Sequence, residues 1–246
     1  MKLTILGYYG GYPYQNTATS GYLLQAKGFN LLLDCGSGVL MELGNVLDPL
    51  RLDAVLLSHY HADHVADVGV LQYYWQLHPE RYQHELLPIY GHIFDQAAFD
   101  GLDWPTATEK RAYDPETVNQ IGPFEIKFLR TEHPVPAFAM RIKERDTGKV
   151  LVYTADSKVF PTLTEFAHDA DLLIADTNFF ADQPGKIWHM TTTQVGGMAL
   201  NAHVHSLLIS HLPQTADRDR LLQETTVASH NQLPVQLPHT GMVINI

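Results

Sequence analysis

Cysteine is almost absent from this chain: Cys35 is the only one in 246 residues. A lone thiol excludes an intramolecular disulfide framework and fits a reducing cytoplasm. Long hydrophobic runs are missing too, although 45% of the residues are hydrophobic. No stretch is long enough to span a membrane, and Met1-Lys2-Leu3-Thr4-Ile5-Leu6-Gly7 lacks the apolar core of a signal peptide. Basic residues are scarce, 16 against 27 acidic ones, for a formal net charge of -11. Such a chain repels polyanions, so no extended nucleic-acid surface is expected. The expectation is a cytoplasmic protein without a membrane partner. Its partner would be a small molecule, an anionic one where bound cations dominate the local field.

What is present is apolar periodicity broken by turn residues. Residues 2–6 alternate and end in glycine as a strand would, and residues 8–20 read as a Gly- and Tyr-rich loop. Residues 21–26 and 29–34 read as two strands joined at Lys27-Gly28. An apolar run at 52–58 reads as a buried strand, and 64–77 as one helix. Further strands are expected at 86–90, 124–129, 137–142, 150–154, 172–175, 207–210 and 242–246. Helices are expected at 93–101, 191–202 and 215–228, while 104–120 has no clear assignment. Strands come in runs with helices between and after them, which suggests sheets with helices packed outside. There is no internal repeat or low-complexity linker, so one domain over residues 1–246 is the simplest organisation.

Fourteen histidines are many for this length, and spacing separates the informative ones. Ser58-His59-Tyr60-His61-Ala62-Asp63-His64 directly follows an apolar strand. In extended backbone, residues i and i+2 project to the same face, so His59 and His61 can bind one ion together. Asp63 and His64 fall where the chain turns into a helix, point elsewhere and can serve a second ion. Imidazole and carboxylate suit zinc and also accept manganese or iron. The lack of thiolates argues against a closed structural site.

Other residues extend the pattern. Leu6-Gly7 opens a Gly-rich loop, and Leu32-Leu33-Asp34-Cys35-Gly36-Ser37-Gly38 follows a strand. His133 lies in Thr131-Glu132-His133-Pro134-Val135-Pro136, Asp156 in Tyr153-Thr154-Ala155-Asp156-Ser157, and His211 in Leu208-Ile209-Ser210-His211. In these residues, and in their order, the chain resembles the metallo-β-lactamase superfamily over nearly its whole length. The resemblance implies an α/β (α+β) fold, the four-layer αββα sandwich, with a dinuclear site in the cleft between sheets. It implies His59, His61 and His133 on one ion, Asp63, His64 and His211 on the other, and Asp156 bridging two divalent ions, zinc by preference. Asp34 is expected to support a ligand histidine, because such histidines usually donate their other ring N–H to a carboxylate. Cys35 is assigned to packing.

Two close ions make hydroxide available near neutral pH and polarise the substrate oxygen. Asp63 is expected to orient or deprotonate the water as well as to hold a metal. The candidate proton source for the leaving group is His189, in Trp188-His189-Met190-Thr191-Thr192-Thr193. This segment is similar to the His-Ser-Thr motif of the ribonuclease Z branch, and Thr191 or Thr192 could cap the following helix. Residues 133–142 are also similar to that branch. Three departures count against tRNA as substrate. The branch's His-Glu-Ala-Thr segment is here Ile174-Ala175-Asp176-Thr177, with Asp176 as the one substitute for its Glu; no long Gly/Pro-rich arm is present; and the charge offers no basic platform.

The expected activity is therefore hydrolysis of a small phosphodiester, a nucleotide or cyclic phosphodiester. The alternatives are a lactone, ester or thioester hydrolase with the same site, or a metal-binding module without turnover. Tyr8, Tyr9, Tyr12 and Tyr14 are candidates to line a pocket for a flat group, and Tyr73, Tyr74 and Trp75 are expected in the core. Related enzymes are often dimers, so a homodimer is one assembly available to this chain, whose oligomeric state the sequence leaves open.

Overall fold

The apolar runs become strands that sort into two mixed sheets. The computed structural model describes residues 1–80 and 85–246. The chain folds as two compact units, Met1–Asp114 with His239–Asn245, and Pro115–Pro238 with Ile246. The boundary after Asp114 falls inside residues 104–120, the stretch whose mixed polarity gives no assignment from sequence.

The first unit contains strands β1 (Lys2–Tyr9), β2 (Ala18–Thr19), β3 (Gly21–Ala26), β4 (Phe29–Leu33), β5 (Ala54–Leu56), β6 (Leu87–Gly91) and β7 (Thr108–Ala112), with Val243–Asn245 on the far edge. Strand order runs Val243–Asn245, β1, β3, β4, β5, β6, β7, with β2 beside β1. The first three pairings of that path are antiparallel and the last three parallel. Lys27 and Gly28 both take positive φ, 53° and 80°, the conformation that a two-residue hairpin turn requires.

Helices α1 (Val39–Gly44), α2 (Ala62–Val65), α3 (Val68–Leu77) and α4 (Gln96–Asp100) complete the unit. The single helix expected at 64–77 is thus two. At Asp67 the N–H donates to the carbonyl of Cys35, and its carboxylate accepts from the Leu40 N–H. A tertiary bond replaces the helical one there, which periodicity alone cannot register. The expected helix at 93–101 is shorter, starting after Asp95, whose side chain caps the Ala98 N–H. Helix α1 and the later α5 had no expectation from sequence.

The core of this unit packs Leu71 and Trp75 of α3 against sheet residues such as Leu23, Leu32, Val55 and Leu57. Trp75 is buried as expected, Tyr74 is partly buried, and Tyr73 is 53% exposed, correcting its expected core position. On a helix, three consecutive residues span too wide an arc to share one face.

The second unit contains β8 (Asn119–Ile121), β9 (Phe124–Arg130), β10 (Phe138–Glu144), β11 (Val150–Tyr153), β12 (Leu172–Asp176), β13 (Leu207–Ser210) and β14 (Val235–Gln236). They lie in sequence order across the sheet. The β8–β11 pairings are antiparallel and the β11–β14 pairings parallel. Each sheet therefore follows the same plan, a meander and then a parallel run, although the sequence carries no visible repeat.

Helices α5 (Pro161–Phe166), α6 (Thr192–Asn201) and α7 (Arg218–Ala228) belong to this unit. Thr191 and Gln194 form a reciprocal capping box at the start of α6. Where α6 meets α7, a Cβ on Gly196 would lie 2.4 Å from the Thr225 carbonyl oxygen, so only glycine permits this approach. Among the described residues, no helix is long and apolar enough to cross a membrane.

Candidate metal centre

In open mixed sheets, functional groups collect beyond the carboxyl ends of parallel strands, where loops emerge without neighbours to bond. The candidate residues follow this rule in both units. In the first, Asp34 follows β4 and Ser58–His64 follow β5. In the second, Asp156 follows β11, Asp176 ends β12 and His211 follows β13, while His133 lies beyond β9. Asp34, Ala155 and His211 take left-handed φ of 54°, 50° and 53°.

In the first unit, Asp34 organises the motif. Its Oδ1 accepts the Ser58 N–H at 2.7 Å, and its Oδ2 accepts the Ser58 hydroxyl at 2.8 Å. The same Oδ2 lies 2.8 Å from Nδ1 of His64. A carboxylate can only accept, so His64 carries its proton on Nδ1 and its lone pair on Nε2. Asp34, Ser58, His59 and His64 are all fully buried. The His59 ring lies 4.9 Å from His61 and 4.1 Å from His64. Asp63 Oδ2 accepts the Gly11 N–H at 2.7 Å and sits 3.6 Å from His64 Nε2. His59, His61, Asp63 and His64 are thus brought together, with the expected support from Asp34. Ser58 and Gly11 are contributors that sequence reasoning missed. Ser58 was visible only as the first residue of the motif, and Gly11 contributes a backbone group, which leaves no residue-type signal.

Close packing fixes this half. Cys35 donates its N–H to the His64 carbonyl at 2.8 Å. A Cβ on Gly36 would lie 2.0 Å from the Asp63 carbonyl oxygen and 2.2 Å from the Thr19 hydroxyl. Burial, followed by the negative charges of Asp67 and Asp34, pushes the Cys35 thiol well above its usual value. Neutral Cys35 is therefore a packing residue.

In the second unit, the ligand-capable atoms of Asp156, Asp176, His189 and His211 lie within 4.8 Å of one another. His211 Nε2 is 3.3 Å from Asp156 Oδ2, and His211 Nδ1 is 3.3 Å from Asp176 Oδ1. His133 Nε2 lies 3.9 Å from Asp156 Oδ2. His189 stacks on His211 with ring centroids 4.9 Å apart, and its Nδ1 is 2.7 Å from Asp176 Oδ2. Burial disfavours the His189 imidazolium, but the charge and hydrogen bond of Asp176 outweigh it, so the pKa is raised. The Thr131 hydroxyl donates to the Asp156 main-chain carbonyl and fixes the backbone there, and the Ser157 N–H donates to the Asp176 carboxylate. Asp176 is thus the partner of His189. Its place at the end of an apolar strand was readable from the sequence, but its pairing with His189 was not.

Both halves offer oriented imidazoles and buried carboxylates, a donor set that fits divalent metal ions. The tyrosines divide. Tyr8 and Tyr9 belong to β1, which runs past residue 6, and both are buried core. Tyr14 helps to line a surface cavity of about 430 Å³ with Pro13, Asn16 and Met41, and Tyr12 is exposed.

Residues 29–212 match the family described as the beta-lactamase superfamily domain. The chain belongs to this superfamily. It groups there with a "probable metallo-hydrolase YhfI" from Bacillus subtilis, 44% identical over 99% of both chains. The crystal structure of that metallo-beta-lactamase fold protein covers 99% of this chain and 98% of its own, at 42% identity and a TM-score of 0.93. This superfamily member therefore has the metallo-β-lactamase fold, with two mixed sheets and helices. The short form of human tRNase Z is a more distant likeness, at 20% identity and a TM-score of 0.77, covering 100% and 99% of the two chains. A diphosphatase of the PhnP family has the same TM-score of 0.77 at 15% identity, covering 100% and 97%. These last two share the fold.

Proposed function

We propose that this chain is a dinuclear metal-dependent hydrolase of small phosphodiesters, a nucleotide or cyclic phosphodiester rather than tRNA. His59, His61 and His133 hold one ion, Asp63, His64 and His211 the other, and Asp156 is shared. The ions are zinc by preference. Bound there, they lower the pKa of water and offset charge that builds on the phosphoryl oxygens. Asp63, held by the Gly11 N–H, orients the attacking water.

The observation that carries the reading is the pairing of His189 with Asp176 beside Asp156 and His211. Attack on phosphorus breaks its bond to the leaving oxygen, which needs a proton. His189 supplies that proton from Nε2 while Asp176 keeps hold of Nδ1–H and stabilises the imidazolium. His189 is not among the seven proposed ligands, so its pairing with Asp176 leaves Nε2 for proton transfer. The net charge of -11 supports a small substrate over structured RNA. The relatives named for tRNA and for diphosphate chemistry support attack at phosphorus as the reaction class. We further propose a cytoplasmic homodimer.

The test is metal-analysed protein assayed with bis(p-nitrophenyl) phosphate, with Asp63→Ala as control. Metal-dependent turnover that disappears in the variant is the expected result. Two bound ions without turnover would overturn the phosphodiester reading in favour of lactones, esters or thioesters. Absence of bound metal would overturn the dinuclear centre itself.

A further inference from the structure

In a chain with so few basic residues, two lysines converge on one indole next to His189. Lys158 Nζ and Lys186 Nζ each lie 4.9 Å from the centroid of the Trp188 ring. Trp188 immediately precedes His189 and remains 38% exposed. Lys158 follows Asp156 by two residues. Its N–H donates to the Glu132 carbonyl at 3.2 Å, and its ammonium pairs with the Glu132 carboxylate at 2.8 Å. Glu132 in turn precedes His133. Lys158 thus rises from the loop that carries Asp156, Lys186 and Trp188 from the loop that carries His189, and Glu132 from the loop that carries His133.

An indole face holds an ammonium by its quadrupole and accepts none of its N–H bonds. The Glu132 pair engages one of the three N–H groups of Lys158 and the indole engages none, so both lysines keep donors for an anion. A phosphate monoester, with a charge near −2 and three acceptor oxygens, makes the fullest use of them. We propose that Lys158, Lys186 and Trp188 form a lip that grips a second, non-scissile phosphate of the substrate. The inference rests on the phosphodiesterase reading and narrows it to substrates carrying a phosphate monoester besides the bond that is cut.

Two chromogenic esters differing in that group test the lip: thymidine 5′-(p-nitrophenyl phosphate) and its 3′-phosphorylated form. The metal-loaded enzyme is expected to favour the 3′-phosphorylated ester in kcat/KM by about tenfold at low salt, from two partly exposed charge pairs. The preference should shrink at high salt. In Lys158→Met and Lys186→Met, which keep the apolar stems, the ratio between the esters should fall towards one. Equal use of both esters by the wild type would overturn the lip, as would a preference that survives in both variants. Cleavage of neither ester would remove the phosphodiesterase reading. Calorimetry then still decides the lip, because thymidine 3′,5′-bisphosphate must bind more tightly than thymidine 5′-monophosphate, and equal affinity overturns it.

Discussion

Asp176 Oδ2 lies 2.7 Å from His189 Nδ1, although the two residues stand on different elements, one closing β12 and the other in the loop before α6. The pair fixes which imidazole nitrogen carries the proton, and it sits in the same cluster as Asp156 and His211. Its removal from either side should therefore have the same consequence.

Asp176→Asn should lower kcat by about a hundredfold, the usual weight of a positioned proton donor. His189→Ala should do the same, and the double variant should be no slower than His189→Ala alone. Steady-state kinetics on the four proteins check this. Additive losses would mean that Asp176 acts elsewhere.

Asp34→Asn leaves the shape of the side chain intact but removes the carboxylate that accepts from Ser58 and His64. The expected result is metal affinity weaker by about 10- to 100-fold, the typical cost of losing such a partner. Competition with a chromogenic chelator measures it. Unchanged affinity would show that His64 is not held for a metal.

Gly36→Ala would drive a methyl group into the Asp63 carbonyl oxygen and the Thr19 hydroxyl. Both neighbours belong to the packed first unit, so the backbone must shift. A destabilisation of at least about 1–3 kcal/mol is expected in denaturant unfolding, with a matching loss of metal.

Glu224 of α7 clamps the His189 loop. It accepts the Ala181 N–H at 2.9 Å and the Thr192 hydroxyl at 2.5 Å, and it pairs with Arg220 at 2.7 Å. Partial burial raises its pKa, but these three partners outweigh that and hold it below the ordinary value of 4.5. A carboxyl depressed on folding contributes stability that is complete above the ordinary value and is lost as pH falls through the folded one. Glu224→Gln should thus be less stable than wild type at neutral pH, with the gap closing below the ordinary value of 4.5. Unfolding titrations at several pH values check the sign.

Residues close in sequence determined much of this protein by themselves. The apolar run followed by His59, His61, Asp63 and His64 was legible because extended backbone points His59 and His61 to one face and the turn into a helix follows at once with Asp63 and His64. The hairpin at Lys27-Gly28 and the Thr191 cap are equally local. Only the tertiary structure decided the break of the expected helix at Asp67, since the competing bond comes from Cys35, and the burial of Tyr9 against the exposure of Tyr73. It also decided that Asp176 holds His189, that Gly11 holds Asp63, and that Ser58 holds Asp34. Those bonds join residues far apart in the chain, and pattern within a segment carries no information about which distant segment will pack beside it.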